Sequence, residues 1–283
     1  MKVLITGANG QLGQDMQKLC RKNSIEVIAA DSKTVDISNS TSVNNLVGEH
    51  PVDVIINCAA YNAVDLAETE WKKAFSVNGI GIRNLAISAN KIGALMVHFS
   101  TDYVFDGSSQ RPYTIADSPR PVNRYGESKF QGESFLRDLA DRYILIRTSW
   151  VFGTGNDNFP KKIIRGSKER TKLKVVIDQV SSPSYTVDLA YATLDLIRKK
   201  ASGTYHITNS GYCSRYEWAA EILEKIGWKG NLVPAINDEF PTAALRPAFS
   251  VLDNSGTEDI LGYSLPDWKD ATYRFLKEME LVL

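Results

Sequence analysis

The sequence predicts an α/β fold, a parallel sheet wound with helices on both faces, followed by a smaller α/β lobe that forms one wall of a cleft. Two observations in its 283 residues carry this. Short apolar runs rich in Val and Ile recur through the first half, nearly continuous in apolar character as buried parallel strands are. Helix-like stretches separate them, and repeated strand–helix alternation closes into one sheet covered on both sides.

The strand candidates are KVLIT at 2–6, EVIAA at 26–30, DVIINC at 53–58, LMVHFS at 95–100 and YILIRTSWVF at 143–152. Between them lie QLGQDMQKLCRKN, TSVNNLVGEH, a long stretch over about 67–91, and a segment beginning at Tyr125. The last three space apolar residues at intervals of three and four, the stripe of an amphipathic helix. Beyond residue 152 the pattern is less regular. GTGNDN reads as a loop, NFPKKIIRGSKE as a helix, and KLKVVIDQVSSPSY as a strand with a proline turn. TVDLAYATLDLIRKK is a helix with Thr186 as its expected cap, GTYHITNSG a strand, and SRYEWAAEILEKIG a helix capped by Ser214. The expected division is a lobe over 1–152 and a substrate lobe over 153–283, partly interleaved with the first.

VLITGANGQLGQDM places Gly7, Gly10 and Gly13 between the first strand and the first helix. A tight turn there lets backbone approach a pyrophosphate, whose charge the helix N-terminus then stabilises. The fold is therefore expected to be Rossmann-type with a dinucleotide site, although the spacing is GxxGxxG where the usual fingerprint is GxGxxG. Gln11 and Leu12 fall in the same turn. The second strand should end at the adenosine ribose, and there the chain reads AADSKTVDIS. Asp31 and Asp36 favour the ribose hydroxyls of NADH, whereas Ser32 and Lys33 suit the 2′-phosphate of NADPH, so either cofactor is admitted. Asp36 reads equally well as a turn residue, with Ile37 beside it.

The bulk properties exclude several functional classes. Lys and Arg number 33 against 33 Asp and Glu, which gives no cause to expect nucleic acid or an acidic membrane as partner. The opening MKVLITGANG lacks the apolar core of a signal peptide, and no apolar run reaches the roughly 20 residues that span a bilayer. Three widely spaced cysteines in no metal-ligand pattern read as free thiols of a cytoplasmic protein.

YGESKFQGE sets Tyr125 four residues ahead of Lys129, on one face of a helix. With the glycine turn, this pair resembles the extended short-chain dehydrogenase/reductase superfamily. NCAAYNAVDLAE at 57–68 is similar to that superfamily's loop after the third strand, placing Ala59, Ala60 and Tyr61 under the cofactor. FSVNGIGIRNLA is similar to the helix whose asparagine, here Asn78, supports the site. FSTDYVFDG, RYGESKFQGE, RTSWVFG, the NF pair at 158–159 and RPAFSVLDN together resemble the dTDP-4-dehydrorhamnose reductase family nearly end to end.

The resemblance implies reduction of a 4-keto group on a dTDP-sugar, dTDP-4-dehydro-β-L-rhamnose, with NADPH or NADH. Tyr125 would donate the proton, and Lys129 would lower the phenol's pKa from about 10 and hold the nicotinamide ribose. Thr101, at the end of the fourth strand, would hydrogen-bond the carbonyl oxygen. Asp102 and Tyr103 would lie beside the sugar, and Trp150 would stack on it or pack in the core. Arg246 would pair with the substrate diphosphate or form a surface salt bridge. Phe105, His98 and His206 read as packed residues and His50 as a helix end. No metal is expected, and a homodimer is left open. Thr101-Asp102-Tyr103 lacks the T-D-E acid pair of the related dehydratases, which disfavours elimination.

Overall fold

The computed structural model describes residues 1–282. In chain order the first half runs β1 (Lys2–Thr6), α1 (Gln11–Lys22), β2 (Glu26–Ala30), α2 (Ser40–Glu49), β3 (Val54–Asn57), α3 (Trp71–Phe75), α4 (Gly81–Lys91), β4 (Leu95–Thr101), α5 (Arg124–Leu139) and β5 (Tyr143–Thr148). The second half runs β6 (Val151–Phe152), α6 (Phe159–Glu169), β7 (Lys172–Val176), β8 (Val180–Ser181), β9 (Ser184–Tyr185), α7 (Thr186–Arg198) and β10 (Gly203–His206). It ends with β11 (Cys213–Ser214), α8 (Arg215–Lys225), β12 (Asn231–Ala235), α9 (Ser255–Leu261) and α10 (Trp268–Glu278).

Six strands form one parallel sheet in the order β10-β5-β4-β3-β1-β2. Strands β3 and β4 are buried along their whole length; both begin as apolar runs, and β3 ends in Asn57 while β4 also buries His98, Ser100 and Thr101. One apolar layer packs α1, α7 and α9 on one face of the sheet, and a second packs α2, α4 and α5 on the other. The sixth strand comes from residues 203–206, so the larger lobe draws on both halves of the chain. The smaller lobe has its own core around Trp218, Phe152 and Phe275. The chain departs β1 toward β2 and returns on the other side to β3, which opens a crevice at the carboxyl ends of the strands.

Three expected elements differ. The stretch over 67–91 is not one helix. A 3-10 turn at Leu66–Glu68 and α3 lead into a π-helical turn at Ser76–Ile80 before α4. That turn holds Asn78, whose side chain accepts from the Tyr61 N–H at 2.9 Å and donates to the Tyr61 carbonyl at 3.0 Å and to Ser128 Oγ at 2.9 Å. A π turn of this kind commonly marks a functional position. The strand expected over 143–152 breaks after Thr148, because Trp150 adopts φ +44° and turns Val151–Phe152 away to pair with β9. Thr186 does not cap α7; Tyr185 occupies that place, and the Thr186 hydroxyl donates instead to Asp15 at 2.6 Å. Ser214 caps α8 as expected, in a reciprocal capping box with Glu217.

Candidate active site

The glycine turn opens the site. Gly7 sits at φ +67°, and a Cβ there would lie 2.4 Å from the Ala59 nitrogen, so only glycine lets β1 turn this close to the strand beside it. Helix α1 then begins at Gly10 with no side-chain cap and no acidic residue in its first turn. Among the described residues, nothing accepts from the N–H groups of Gln11, Leu12 and Gly13. By contrast, α2, α5, α6 and α10 are capped by their own Asn39, Asn123, Asn158 and Asp267. An uncapped positive helix end over a cleft suits the pyrophosphate of a dinucleotide. Gln11 is committed elsewhere: it donates to the Val151 carbonyl at 3.0 Å and accepts from Asn158 at 3.2 Å, tying the turn to the smaller lobe.

A cavity of about 690 Å³ continues from this turn and is lined by Asp31, Ser32, Lys33, Asp36, Ile37, Ala59, Ala60 and Tyr61. Asp31 accepts from the Asn9 amide at 2.5 Å and from the Lys33 and Thr34 N–H groups, and the Lys33 N–H, with Thr34, holds its carboxyl below the usual range. Asp36 accepts from the N–H and hydroxyl of Ser38 and so closes a turn, while Ile37 is buried against the start of α4.

The reactive end of the cleft, about 480 Å³, brings together Thr101, Asp102, Tyr103, Tyr125, Lys129 and Trp150 with the α1 turn. Helix α5 approaches closely because Gly126 faces the Tyr103 carbonyl, where a Cβ would come within 2.2 Å. A buried ion pair of Glu133 with Arg147 on β5, at 2.8 and 2.9 Å, fixes the helix against the sheet. The phenol of Tyr125 donates to Asn62 Oδ1 at 3.4 Å and lies within hydrogen-bonding reach of Thr101. Burial pushes this phenol above its ordinary value, and the Thr101 hydroxyl pulls it only partly back.

Lys129 differs from the expectation. Its ammonium donates to the Phe99 carbonyl at 2.6 Å, and the nearby carboxyl of Asp102 pushes the Tyr125 phenol further up. Burial pushes Lys129 itself down to about 8. In this structure the Tyr125 phenol therefore holds its proton, and no cation is hydrogen-bonded to it among the described residues.

Arg246 pairs with Asp65 at 2.7 Å, leaves its buried Nη1 without a hydrogen-bond partner, and lines neither cavity. The residue missing from the sequence reading is Arg215, which lines both this cleft and a neighbouring cavity of about 550 Å³. Its guanidinium lies 3.6 Å from the Trp150 ring centroid and 4.8 Å from that of Phe159. No hydrogen bond or ion pair to it occurs among the described residues, and burial pulls it down to about 10. Arg215 is also the first residue of α8, where a cation opposes the helix dipole, so an arginine opening SRYEW is the sequence signal that an anion is wanted there. Trp150 presents one ring face to Arg215 and stacks on Trp218 at 5.8 Å, so it packs among side chains in the wall of the cleft.

His98 and His206 are fully buried and Phe105 stacks on Tyr113 at 4.2 Å, all as packed residues. Among the described residues no cluster of three or more His, Cys, Asp or Glu could hold a metal, and no helix is long and apolar enough to cross a membrane.

Comparison with known proteins agrees with this geometry. The family model for the RmlD substrate binding domain matches residues 1–281. The chain is 39% identical over 277 residues to the spore coat polysaccharide biosynthesis protein SpsK of Bacillus subtilis, covering 98% of this chain and 97% of the relative. The solved dTDP-4-dehydrorhamnose reductase of Clostridium acetobutylicum is 42% identical, with TM-score 0.96 over 99% of this chain and 100% of that one. The dTDP-4-dehydrorhamnose reductase of Bacillus anthracis, solved in complex with NADP, is 40% identical, with TM-score 0.95 over 98% and 99%.

Proposed function

The chain belongs to the RmlD substrate-binding-domain family, and from that premise we propose that it reduces the 4-keto group of dTDP-4-dehydro-β-L-rhamnose to give dTDP-β-L-rhamnose, using NADPH or NADH. The observation that carries this reading is the placement of the Tyr125 phenol and the Thr101 hydroxyl in one cleft with the uncapped start of α1. A keto oxygen that receives hydride at its carbon becomes an alkoxide, and it needs a proton donor at the site where the charge develops.

The uncapped α1 turn, Ala59, Ala60 and Asp31 would hold the dinucleotide, which supplies the hydride when bound. Tyr125 gives its proton to the C4 oxygen. A buried phenol with a raised pKa holds that proton at neutral pH and releases it only to a stronger base, which an alkoxide is. Lys129 keeps a charge beside the site and is the ribose anchor of this reading. Arg215 is the diphosphate contact, because its guanidinium has no hydrogen-bonded anion among the described residues and is flanked by flat rings that hold it for bidentate phosphate contact. The adjoining cavity, with Phe240, Trp218, Gln179 and Asn237 in its wall, takes the nucleoside. Tyr103 where the dehydratases carry an acid supports reduction over elimination.

The test is direct: purified protein is given dTDP-4-dehydro-L-rhamnose and NADPH, with NADH in parallel, and the reduced-nicotinamide absorbance is followed. Loss of absorbance with formation of dTDP-rhamnose is expected. Bound cofactor without oxidation would point instead to a non-catalytic subunit on the same fold. The same reading proposes a cytoplasmic homodimer, which light scattering during size exclusion tests for its oligomeric part.

A further inference from the structure

We propose that Asp102 is a positioning residue for the reduction, its ionisation deciding whether the single proton of Thr101 points inward to the carboxylate or outward into the cleft. The inference rests on the reductase reading for its consequence but not for its geometry. Asp102 is almost fully buried, and both carboxylate oxygens face hydroxyls. Oδ1 accepts from Thr101 at 3.0 Å, and Oδ2 accepts from Ser250 at 2.5 Å and from Ser181 at 3.4 Å. Thr101 Oγ1 in turn accepts the Tyr103 N–H at 3.1 Å.

A threonine hydroxyl carries one proton and accepts through two lone pairs. While Asp102 is a carboxylate, that proton is committed inward, and Thr101 has none to offer a keto oxygen in the cleft. The Tyr125 phenol, which donates to Asn62 Oδ1 at 3.4 Å, is then the one hydroxyl of the two that can turn its proton to that oxygen. Protonation at Oδ1 reverses the bond: the carboxyl O–H donates to Thr101 Oγ1, and the threonine proton turns toward the cleft. Thr101 and Tyr125 then both present donors to one oxygen, the arrangement a developing alkoxide needs.

The surroundings keep both states accessible. Burial raises the acid to about 6, while Ser250, Thr101 and the Arg215 charge each favour the carboxylate. Among the described residues, Arg215 of α8 is the cation that acts on it. Tyr103 beside it and Tyr125 of α5 are neutral phenols, and Ser181 of β8 and Ser250 supply hydroxyls. An anionic diphosphate on Arg215 would offset that cation and favour protonation, so occupation of the cleft would itself turn Thr101 outward.

Carboxyl-carbon NMR of protein labelled with ¹³C-aspartate, with Asp102 assigned by its loss in Asp102→Asn, gives its midpoint without any turnover. Thr101→Val removes a donor to the carboxylate, so the midpoint should rise by roughly half a unit or more; an unchanged midpoint overturns the proposal. Addition of dTDP to the wild type should also raise it, and a fall would count against the coupling to Arg215. In single-turnover NADPH oxidation, the wild-type rate should decline as pH rises through this midpoint. Both Asp102→Asn and Thr101→Val should lose that limb, and its persistence in Asp102→Asn overturns the proposal. Because the NMR arms need no reaction, absence of NADPH oxidation would count against the reductase reading alone.

Discussion

The Lys129 ammonium reaches past Tyr125 and donates to the Phe99 carbonyl at 2.6 Å, so the two residues share a helix face without sharing a hydrogen bond. Lysine has a four-carbon stem, and α5 lies against β4 where a strand carbonyl is within its reach. The tyrosine is left with Thr101 and Asn62 as its neighbours, and the two residues of the motif do separable work.

Tyr125→Phe should therefore cut turnover by about 10²–10⁴-fold, the usual contribution of a positioned proton donor. NADPH affinity, read by fluorescence quenching, should stay close to that of the wild type. Turnover equal to the wild type would remove Tyr125 from the proton transfer.

Lys129 should leave a signature in stability. Its folded pKa, about 8, is below the ordinary value of 10.5, so the folded state binds this proton less tightly than the unfolded one. The charged form is disfavoured in the fold below about pH 8, and the penalty is relieved as pH rises toward the unfolded value. Urea unfolding of the cofactor-free wild type and of Lys129→Met should differ by an amount that shifts in favour of the wild type across that window, on the order of 3 kcal/mol in total. A difference independent of pH would mean that the lysine is not desolvated.

Arg215→Met should raise the KM for the nucleotide sugar by roughly 10–100-fold, the worth of a hydrogen bond to a charged group, with NADPH affinity unchanged. Arg215→Lys should recover only part of this, because an ammonium lacks the planar fork and stacks less well on Trp150. Arg246→Met serves as the contrast. Its partner is Asp65, so it should affect substrate binding less than Arg215→Met does.

Asp31→Asn should shift cofactor preference toward NADPH by roughly tenfold or more, since it removes a carboxylate from the cavity where a 2′-phosphate would sit. Parallel titrations with NADPH and NADH read this ratio. An unchanged ratio would place the discrimination elsewhere, with Ser32 and Lys33 the next residues to change.

Much of the larger lobe was legible because its signals are local. Buried strands such as β3 and β4 begin as runs of Val, Ile, Leu and Met, and Gly7 must be glycine to turn against Ala59, so local composition marks them. Helix caps such as Ser214 with Glu217 lie three residues apart and can be read directly. Misreadings came where a local preference met a distant partner. Thr186 is a good cap residue, but Asp15 claims its hydroxyl from 171 residues away. YILIRTSWVF has the composition of one strand, yet Trp150 takes a left-handed conformation that brings its ring against Arg215 and Trp218. A bulky residue there costs on the order of 1–3 kcal/mol, which the aromatic packing around it offsets.

Sequence by itself determined the strand–helix order, the glycine turn between β1 and α1, and the placing of Tyr125 and Lys129 on one helix face, because each rests on spacing within a turn, a strand or a helix; the grouping of Thr101 with that pair came only from the family resemblance. Tertiary structure alone decided that the Arg215 guanidinium lies against Trp150 in the cleft, where the Lys129 ammonium donates, and that Asp102 faces three hydroxyls instead of solvent. Hydrogen-bond direction and desolvation depend on atoms brought together from β4, α5, β8, α8 and the loop at Ser250, and no spacing along the chain encodes that meeting.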